Sequence, residues 1–157
     1  NKTSLEGKSN TYKIIKCYAK GIQYPEYTDE NTFRFEVKSN RKNYIRVLGI
    51  ESINDLLNEE TYNRLYLVLL KEFEELLIID EVAQPNLSKK KLEGFRKKLN
   101  PLFWKKMIMF KSRNVFRRNF NQYYKELDTT ETHLKKELRK ILRNKLEQLR
   151  GAVLTIV

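Results

Sequence analysis

Residues 11–38 read TYKIIKCYAKGIQYPEYTDENTFRFEVK, and the alternation in this stretch decides the fold. Side chains two apart share one face of a strand. Tyr12, Ile14, Lys16, Tyr18 and Lys20 therefore face one way, and Lys13, Ile15, Cys17 and Ala19 the other. In the second run, Phe33, Phe35 and Val37 share an apolar face, and Arg34, Glu36 and Lys38 a polar one. Tyr24-Pro25-Glu26 and Asp29-Glu30-Asn31 lie between the runs and favour turns. Two strands paired antiparallel would gather Tyr18, Lys20, Arg34 and Glu36 on one face.

Outward from this hairpin the pattern turns helical. Arg41 to Leu48 predicts a short helix ended by Gly49, which accepts the left-handed cap geometry. Ser52 caps the next helix, with Asp55 in its first turn. A long helix is predicted from Glu59 to about Ile78, capped by Asn58. Its apolar stripe is Tyr62, Leu65, Tyr66, Leu69, Leu70, Phe73, Leu76 and Leu77, and Glu72, Glu74 and Glu75 read as an exposed face. Pro85 and Asn86 mark a boundary. Beyond it, Ser88 opens a helix to Leu99, and Pro101 suits the first turn of another. Ser112 or Asn114 caps a third. Asp128-Thr129-Thr130-Glu131 reads as a capping box for a last helix to about Arg150, ended by Gly151, with an apolar tail from Ala152 to Val157. The fold class is α+β: short antiparallel strands near the N-terminus, then a mostly α-helical, basic C-terminal region. Residues 1–80 form the first domain and 81–157 the second.

Composition bounds the function. The chain has 157 residues, 40% hydrophobic and 33% charged, with three Pro and five Gly, so long flexible linkers are not expected. No apolar run is long enough to span a membrane, and no signal-peptide pattern is visible. The single Cys17 excludes an internal disulfide; it reads as a small packed hydrophobe, in a reducing, cytoplasmic setting. His133 is the only histidine. The chain opens at Asn1, which reads as the later part of a longer protein.

The net charge of +12 is localised. Between Ser88 and Lys125 stand Lys89, Lys90, Lys91, Arg96, Lys97, Lys98, Lys105, Lys106, Lys111, Arg113, Arg117, Arg118 and Lys125, against one anion, Glu93. This stretch holds the whole excess, so the remainder is balanced. Such concentration is an electrostatic footprint for a polyanion, nucleic acid first. Short helices, tight turns and cations resemble a helix-turn-helix arrangement. Phe95, Trp104, Phe116 and Tyr123 lie between the cations; they could stack on single-stranded bases, but at helical spacing they read as core.

The hairpin carries the chemistry. A tyrosine hydroxyl can attack a phosphodiester to give a covalent phosphotyrosine. A neighbouring cation stabilises the phenolate and the charged transition state. The same residues are also ordinary strand formers and cross-strand partners. A resemblance bears on the choice. Gly7-Lys8-Ser9, Ile14 to Lys20, Thr32 to Val37, Leu48-Gly49 and Ile53 to Leu57 occur in the order found in the middle part of rolling-circle replication initiators. That family comprises the filamentous-phage gene II and plasmid types of the His-hydrophobic-His endonuclease class. The similarity covers about residues 3–57 and implies an origin-nicking and joining endonuclease. Tyr18 matches the family nucleophile, Lys20 the lysine that steadies phenolate or phosphate, and Glu36 the Arg-Phe-Glu carboxylate in a supporting role. Arg34 joins the DNA-contact candidates Lys89, Lys90, Lys91, Arg96, Lys97, Lys98, Lys105, Lys106, Arg113, Arg117 and Arg118. The family uses a divalent metal, Mg or Mn, held by a His-hydrophobic-His motif that this sequence lacks. The metal is therefore expected in the full-length protein and not in this chain alone. The expected partner is DNA, single-stranded or an origin hairpin, with no membrane. A non-catalytic helical DNA-binding protein of a mobile element is the alternative, and a basic domain for an acidic protein partner a third reading.

Overall fold

The structure is a computed structural model that describes residues 13–154, with side chains through residue 151. Tyr12, the Gly7-Lys8-Ser9 lead-in and residues 155–157 lie outside the described residues. The α+β class holds: two antiparallel strands precede a mostly helical remainder. The chain forms two compact units, residues 1–75 with 146–157, and residues 76–145. The division falls after Glu75, ahead of the Asp80–Asn86 breakers, and the end of the last helix groups with the first unit.

In the first unit, β1 (Lys13–Ala19) pairs with β2 (Phe33–Ser39) from Lys13 opposite Ser39 to Ala19 opposite Phe33. Between them the chain turns through α1 (Lys20–Gln23). The first strand therefore ends before Lys20, where the sequence alternation continues. Gly21 explains the turn. Its N–H donates to the Thr32 carbonyl at 3.0 Å, and a Cβ there would fall 2.1 Å from the Asp29 carbonyl oxygen. Only glycine allows this approach.

One face of the hairpin packs on α3 (Glu59–Glu74), where Phe35 meets the buried Phe73 edge-on at 5.6 Å. Glu72, expected on an exposed face, is buried. It pairs with Lys13 and accepts a hydrogen bond from Tyr44 of α2 (Lys42–Val47) at 3.1 Å. A buried carboxylate needs such partners, and these tie strand, α2 and α3 together. Cys17 is exposed and not in the core, although partial burial still pushes its thiol pKa up. Gly49 ends α2 as expected, at φ 76°, with the Gly49 and Ile50 N–H groups bonded to the Arg46 and Ile45 carbonyls. That pattern is a Schellman cap. Ser52 leads into a 3₁₀ turn, Ile53–Leu57, whose Asp55 carboxylate accepts the N–H groups of Ser52 and Glu51. These bonds, Ser52 first, hold the Asp55 carboxyl below the usual carboxylate range. Asn58 caps α3, its Oδ1 accepting the Glu60 N–H at 2.9 Å.

Helix α3 stops at Glu74, short of Ile78. Residues 76–80 begin the second unit without regular secondary structure, and two tyrosines bond their backbone groups. The Tyr124 hydroxyl receives the Ile78 N–H at 2.9 Å and donates to the Leu76 carbonyl at 3.1 Å. The fully buried Tyr123 hydroxyl accepts the Asp80 N–H at 2.9 Å. Here α4 (Lys89–Lys98), α5 (Pro101–Phe110) and α6 (Arg113–Leu127) pack pairwise around Phe95, Trp104, Phe120, Tyr123 and Leu127. Phe95 stacks on Tyr123 at 5.5 Å, and Trp104 meets Phe116 and Tyr123 edge-on. The interspersed aromatics are thus core, with Phe116 half-buried at its margin. Of the expected caps, Ser112 accepts the Val115 N–H and Pro101 takes the first position of α5, whereas Ser88 precedes α4 without a side-chain cap bond; Asn100 supplies an unexpected cap, accepting the Leu102 N–H.

The capping box at 128–131 does not form. Asp128 closes α6, and the Thr129 and Thr130 hydroxyls donate to its last carbonyls, those of Glu126 and Leu127. Helix α7 (Leu134–Leu154) starts later, its Leu134 N–H capped from a distance by the Asp80 carboxylate at 2.7 Å. It also runs through Gly151 and into the expected tail. In the first unit its end docks on α3, with Tyr66 donating to Glu147 at 3.2 Å and Arg150 to Asn63 at 3.2 Å. Gly94 lies mid-helix in α4, exposed, with no atom within 4 Å of a Cβ built there. Gly94→Ala should raise stability by about 0.5–1 kcal/mol, read as a higher urea midpoint at unchanged slope.

Candidate functional site

The hairpin's outer face brings together three of the four hairpin residues singled out in the sequence. Antiparallel register sets Tyr18 opposite Arg34 and Lys16 opposite Glu36. The half-buried Tyr18 hydroxyl donates to Glu36 Oε1 at 3.3 Å and accepts from Arg34 Nη1 at 3.4 Å. Arg34 closes the triangle on Glu36 at 3.1 Å. The hydrogen bond to Tyr18, then the charge interactions with Tyr18 and Glu36, push the Arg34 guanidinium further up, so it stays cationic at every working pH. An exposed pair of this kind stabilises the fold little; its consequence is local, since the phenol oxygen sits between a proton acceptor and a fixed cation.

Lys20 does not join this triangle. Its backbone opens α1, and its ammonium lies over the Tyr24 ring, 6.0 Å from the centroid. The strand-face assignment for Lys20 is thereby corrected, and the reason is the Gly21 turn. Lys16 holds the position on the Tyr18 face that Lys20 was expected to extend. The alternation already placed Lys16 there; only the register shows that it faces Glu36.

In the second unit the cations divide in two. Lys89, Lys90, Lys91, Arg96 and Lys97 on α4, Lys105 and Lys106 on α5, and Arg113, Arg117 and Arg118 on α6 are exposed. Lys98 is not. Its side chain is 9% exposed and its Nζ lies 2.7 Å from the equally buried Glu126 of α6. Its charge is spent inside the fold, so it leaves the contact set. The Lys98 carbonyl also accepts the Trp104 indole N–H at 2.6 Å, joining α4, α5 and α6 at one residue. The cation count could not reveal this, because Glu126 lies one residue beyond the basic stretch.

Two helix starts run against their own dipoles. The first turns of α4 and α6 hold no acidic residue. Lys89, Lys90 and Lys91 open α4, and Arg113, Arg117 and Arg118 crowd the N-terminal half of α6. A helix N-terminus favours anions and disfavours cations. Both ends are therefore more positive than charge alone implies, and each destabilises its own helix until an anion approaches.

The metal that the resemblance implies is held in the family by a His-hydrophobic-His motif, which this sequence does not contain. Among the described residues no group of three or more His, Cys, Asp or Glu is placed to hold one. His133 is buried beside Asp128, Nε2 to Oδ1 3.4 Å. No helix among the described residues is long and apolar enough to cross a membrane. No protein-family model, curated protein or solved structure matches the chain.

Breaking the Lys98–Glu126 pair from one side leaves a buried charge alone. Lys98→Met should cost about 3–5 kcal/mol in urea unfolding, and Lys98→Met with Glu126→Leu should recover most of it. A single variant as stable as the parent would show that the pair carries no such strain.

Proposed function

We propose that this chain is a DNA-binding part of a replication initiator of rolling-circle type, engaging DNA through the exposed cations of α4, α5 and α6. The observation that carries the reading is the clustering of lysine and arginine at the start of α4 and in the first half of α6, with no carboxylate in either first turn. A solvated surface helix gains nothing from this arrangement, whereas phosphate relieves the repulsion and accepts hydrogen bonds from the same groups. An acidic protein would be attracted too, but the cations are dispersed over three helices, as contacts to a continuous charged backbone require. A cytoplasmic location fits the exposed, unpaired thiol of Cys17.

The Tyr18 triangle favours a second, catalytic element of the same reading. In that step the Tyr18 oxygen forms a bond to a backbone phosphorus, and its proton passes to Glu36. The bond from phosphorus to the 3′ oxygen breaks, that oxygen takes a proton from water, and a 5′-phosphotyrosine remains. Arg34 offsets charge on the phenolate and the phosphoryl oxygens. The Tyr18–Arg34–Glu36 distances support these roles, and the divalent metal that the resemblance implies would be held by a part of the full-length protein outside these residues.

Binding should collapse with salt: neutralising about six to ten phosphates loses roughly 10³–10⁵ in affinity between 50 and 200 mM, readable by fluorescence anisotropy on labelled DNA. Lys90→Glu should weaken binding while raising the melting temperature, because it replaces a cation with an anion at the α4 start. A variant that binds DNA as before would remove the helix starts from the interface, and binding indifferent to salt would favour a protein partner. For chemistry, the full-length protein incubated with single-stranded or supercoiled origin DNA and Mg²⁺ or Mn²⁺ should yield a denaturant-resistant adduct, lost in Tyr18→Phe with DNA binding intact. If wild type and variant form the same adduct, Tyr18 is structural.

A further inference from the structure

Helix α6 has two faces of different character. One carries Phe116, Phe120, Tyr123 and Leu127 into the core or its margin. The other exposes Asn114, Arg117, Arg118, Asn121, Gln122 and Lys125, which line one continuous shallow trough. These residues recur at three and four, so a single stripe runs nearly the length of the helix. The stripe holds no carboxylate. An ordinary solvated face mixes both signs and favours good helix formers. This one spends two positions on Asn, a weak helix former, and its cations have no i+4 anion among the stripe residues.

We propose that α6 lies in the major groove of duplex DNA and reads base edges with this stripe. The inference rests on the DNA-binding reading above and adds to it the element, the groove and sequence selectivity. The chemistry matches one occupant. A guanidinium fork pairs with guanine O6 and N7, and a carboxamide with adenine N6 and N7; the stripe offers Arg117 and Arg118 of the first kind and Asn121 and Gln122 of the second. Fifteen residues make a rod about 22 Å long, and the major groove of B-DNA is wide enough to admit it. The deep, narrow major groove of duplex RNA is not. Packing supports the same assignment. α6 follows α5 after only Lys111 and Ser112, and both pack on α4, so the reading helix would be the last of a three-helix cluster.

Two stripe side chains are oriented from within the protein. The Gln122 amide donates to Glu126 Oε1 at 2.9 Å, and Glu126 is itself held by the buried Lys98. The Arg117 guanidinium rests over the Phe120 ring, 5.7 Å from its centroid. Side chains fixed in this way lose less freedom on meeting a base than unrestrained ones.

The test is selection of randomised duplex DNA by the 157-residue chain, then anisotropy titration of the selected duplex, a scrambled duplex and a duplex RNA at one salt concentration. A short enriched motif containing G and A is expected. Arg118→Ala and Asn121→Ala should each cut the preference for the selected over the scrambled duplex by about 10- to 100-fold, at unchanged helicity by circular dichroism. Arg118→Lys should lose preference while keeping the salt slope, since it retains charge without the fork. If DNA is bound but no motif emerges, or a motif emerges that these variants do not alter, α6 is not the reading helix and the DNA-binding reading stands. Tighter binding to the RNA also overturns the inference. If no DNA is bound at low salt, both readings fall.

Discussion

Lys98 is the residue on which the helical unit depends. It ends α4, its ammonium meets Glu126 on α6, and its carbonyl receives the Trp104 indole of α5. Three helices meet at one backbone position, and the ion pair is almost dry. An interior pair of this kind contributes little net stability against a hydrophobic replacement, because desolvating both charges offsets their attraction. What it adds is geometry. A lysine has one place to put its charge once buried, so the registration of α4 on α6 becomes discrete. The effect reaches the surface, since Glu126 uses its second oxygen to hold Gln122. A core ion pair and an exposed polar stripe thus share one carboxylate.

That sharing shows why part of the chain was legible in sequence and part was not. Local chemistry read correctly at several points: Asn58 and Ser112 cap where a short polar side chain precedes an apolar stripe, Pro101 takes the first turn of α5, and Gly49 takes the left-handed cap. Strand alternation also put Tyr18, Arg34 and Glu36 on one face, because period two needs no knowledge of partners. The failures share another cause, which is long-range satisfaction of a polar group. Glu72 looked like a surface anion until Lys13, far away in sequence, came to it. Thr129 and Thr130 looked like the start of a helix but cap the end of the previous one, and Asp80 supplies the missing cap of α7. Leu76 and Leu77 continued a helical stripe, yet the Tyr124 hydroxyl of α6 takes the Ile78 N–H and the Leu76 carbonyl, and that backbone is not helical. Lys20 failed for a steric reason: the contact of Gly21 with the Asp29 carbonyl bends the chain out of the strand.

The same division applies to function. Affinity for a polyanion needs only charge density, which composition reports and which the exposed surfaces of α4 to α6 retain. Selectivity and chemistry need side chains at fixed separations, which depend on register and packing. In the hairpin, that means a phenol oxygen between a carboxylate and a guanidinium; in α6, it means amides and guanidinia on one stripe. Neither arrangement has a composition signature.

The two arrangements also place different demands on the fold. A tyrosine nucleophile must approach phosphorus, so its neighbours have to be loosely solvated and able to yield; the Arg34–Glu36 pair, with side chains 44% and 37% exposed, can separate at small cost. A reading helix must not yield, because a hydrogen-bond code discriminates only if wrong bases leave fixed groups unpaired. In α6 the buried Tyr123 packs on Trp104 of α5, and Glu126 pairs with the buried Lys98 of α4, which fixes the helix on its core. Under the proposed function, the exposed triangle on the two-stranded hairpin would serve chemistry and the stripe over the aromatic core would serve recognition. The Arg34 and Glu36 side chains beside Tyr18 are exposed, whereas Phe95, Trp104 and Tyr123 in the core that carries α6 are buried.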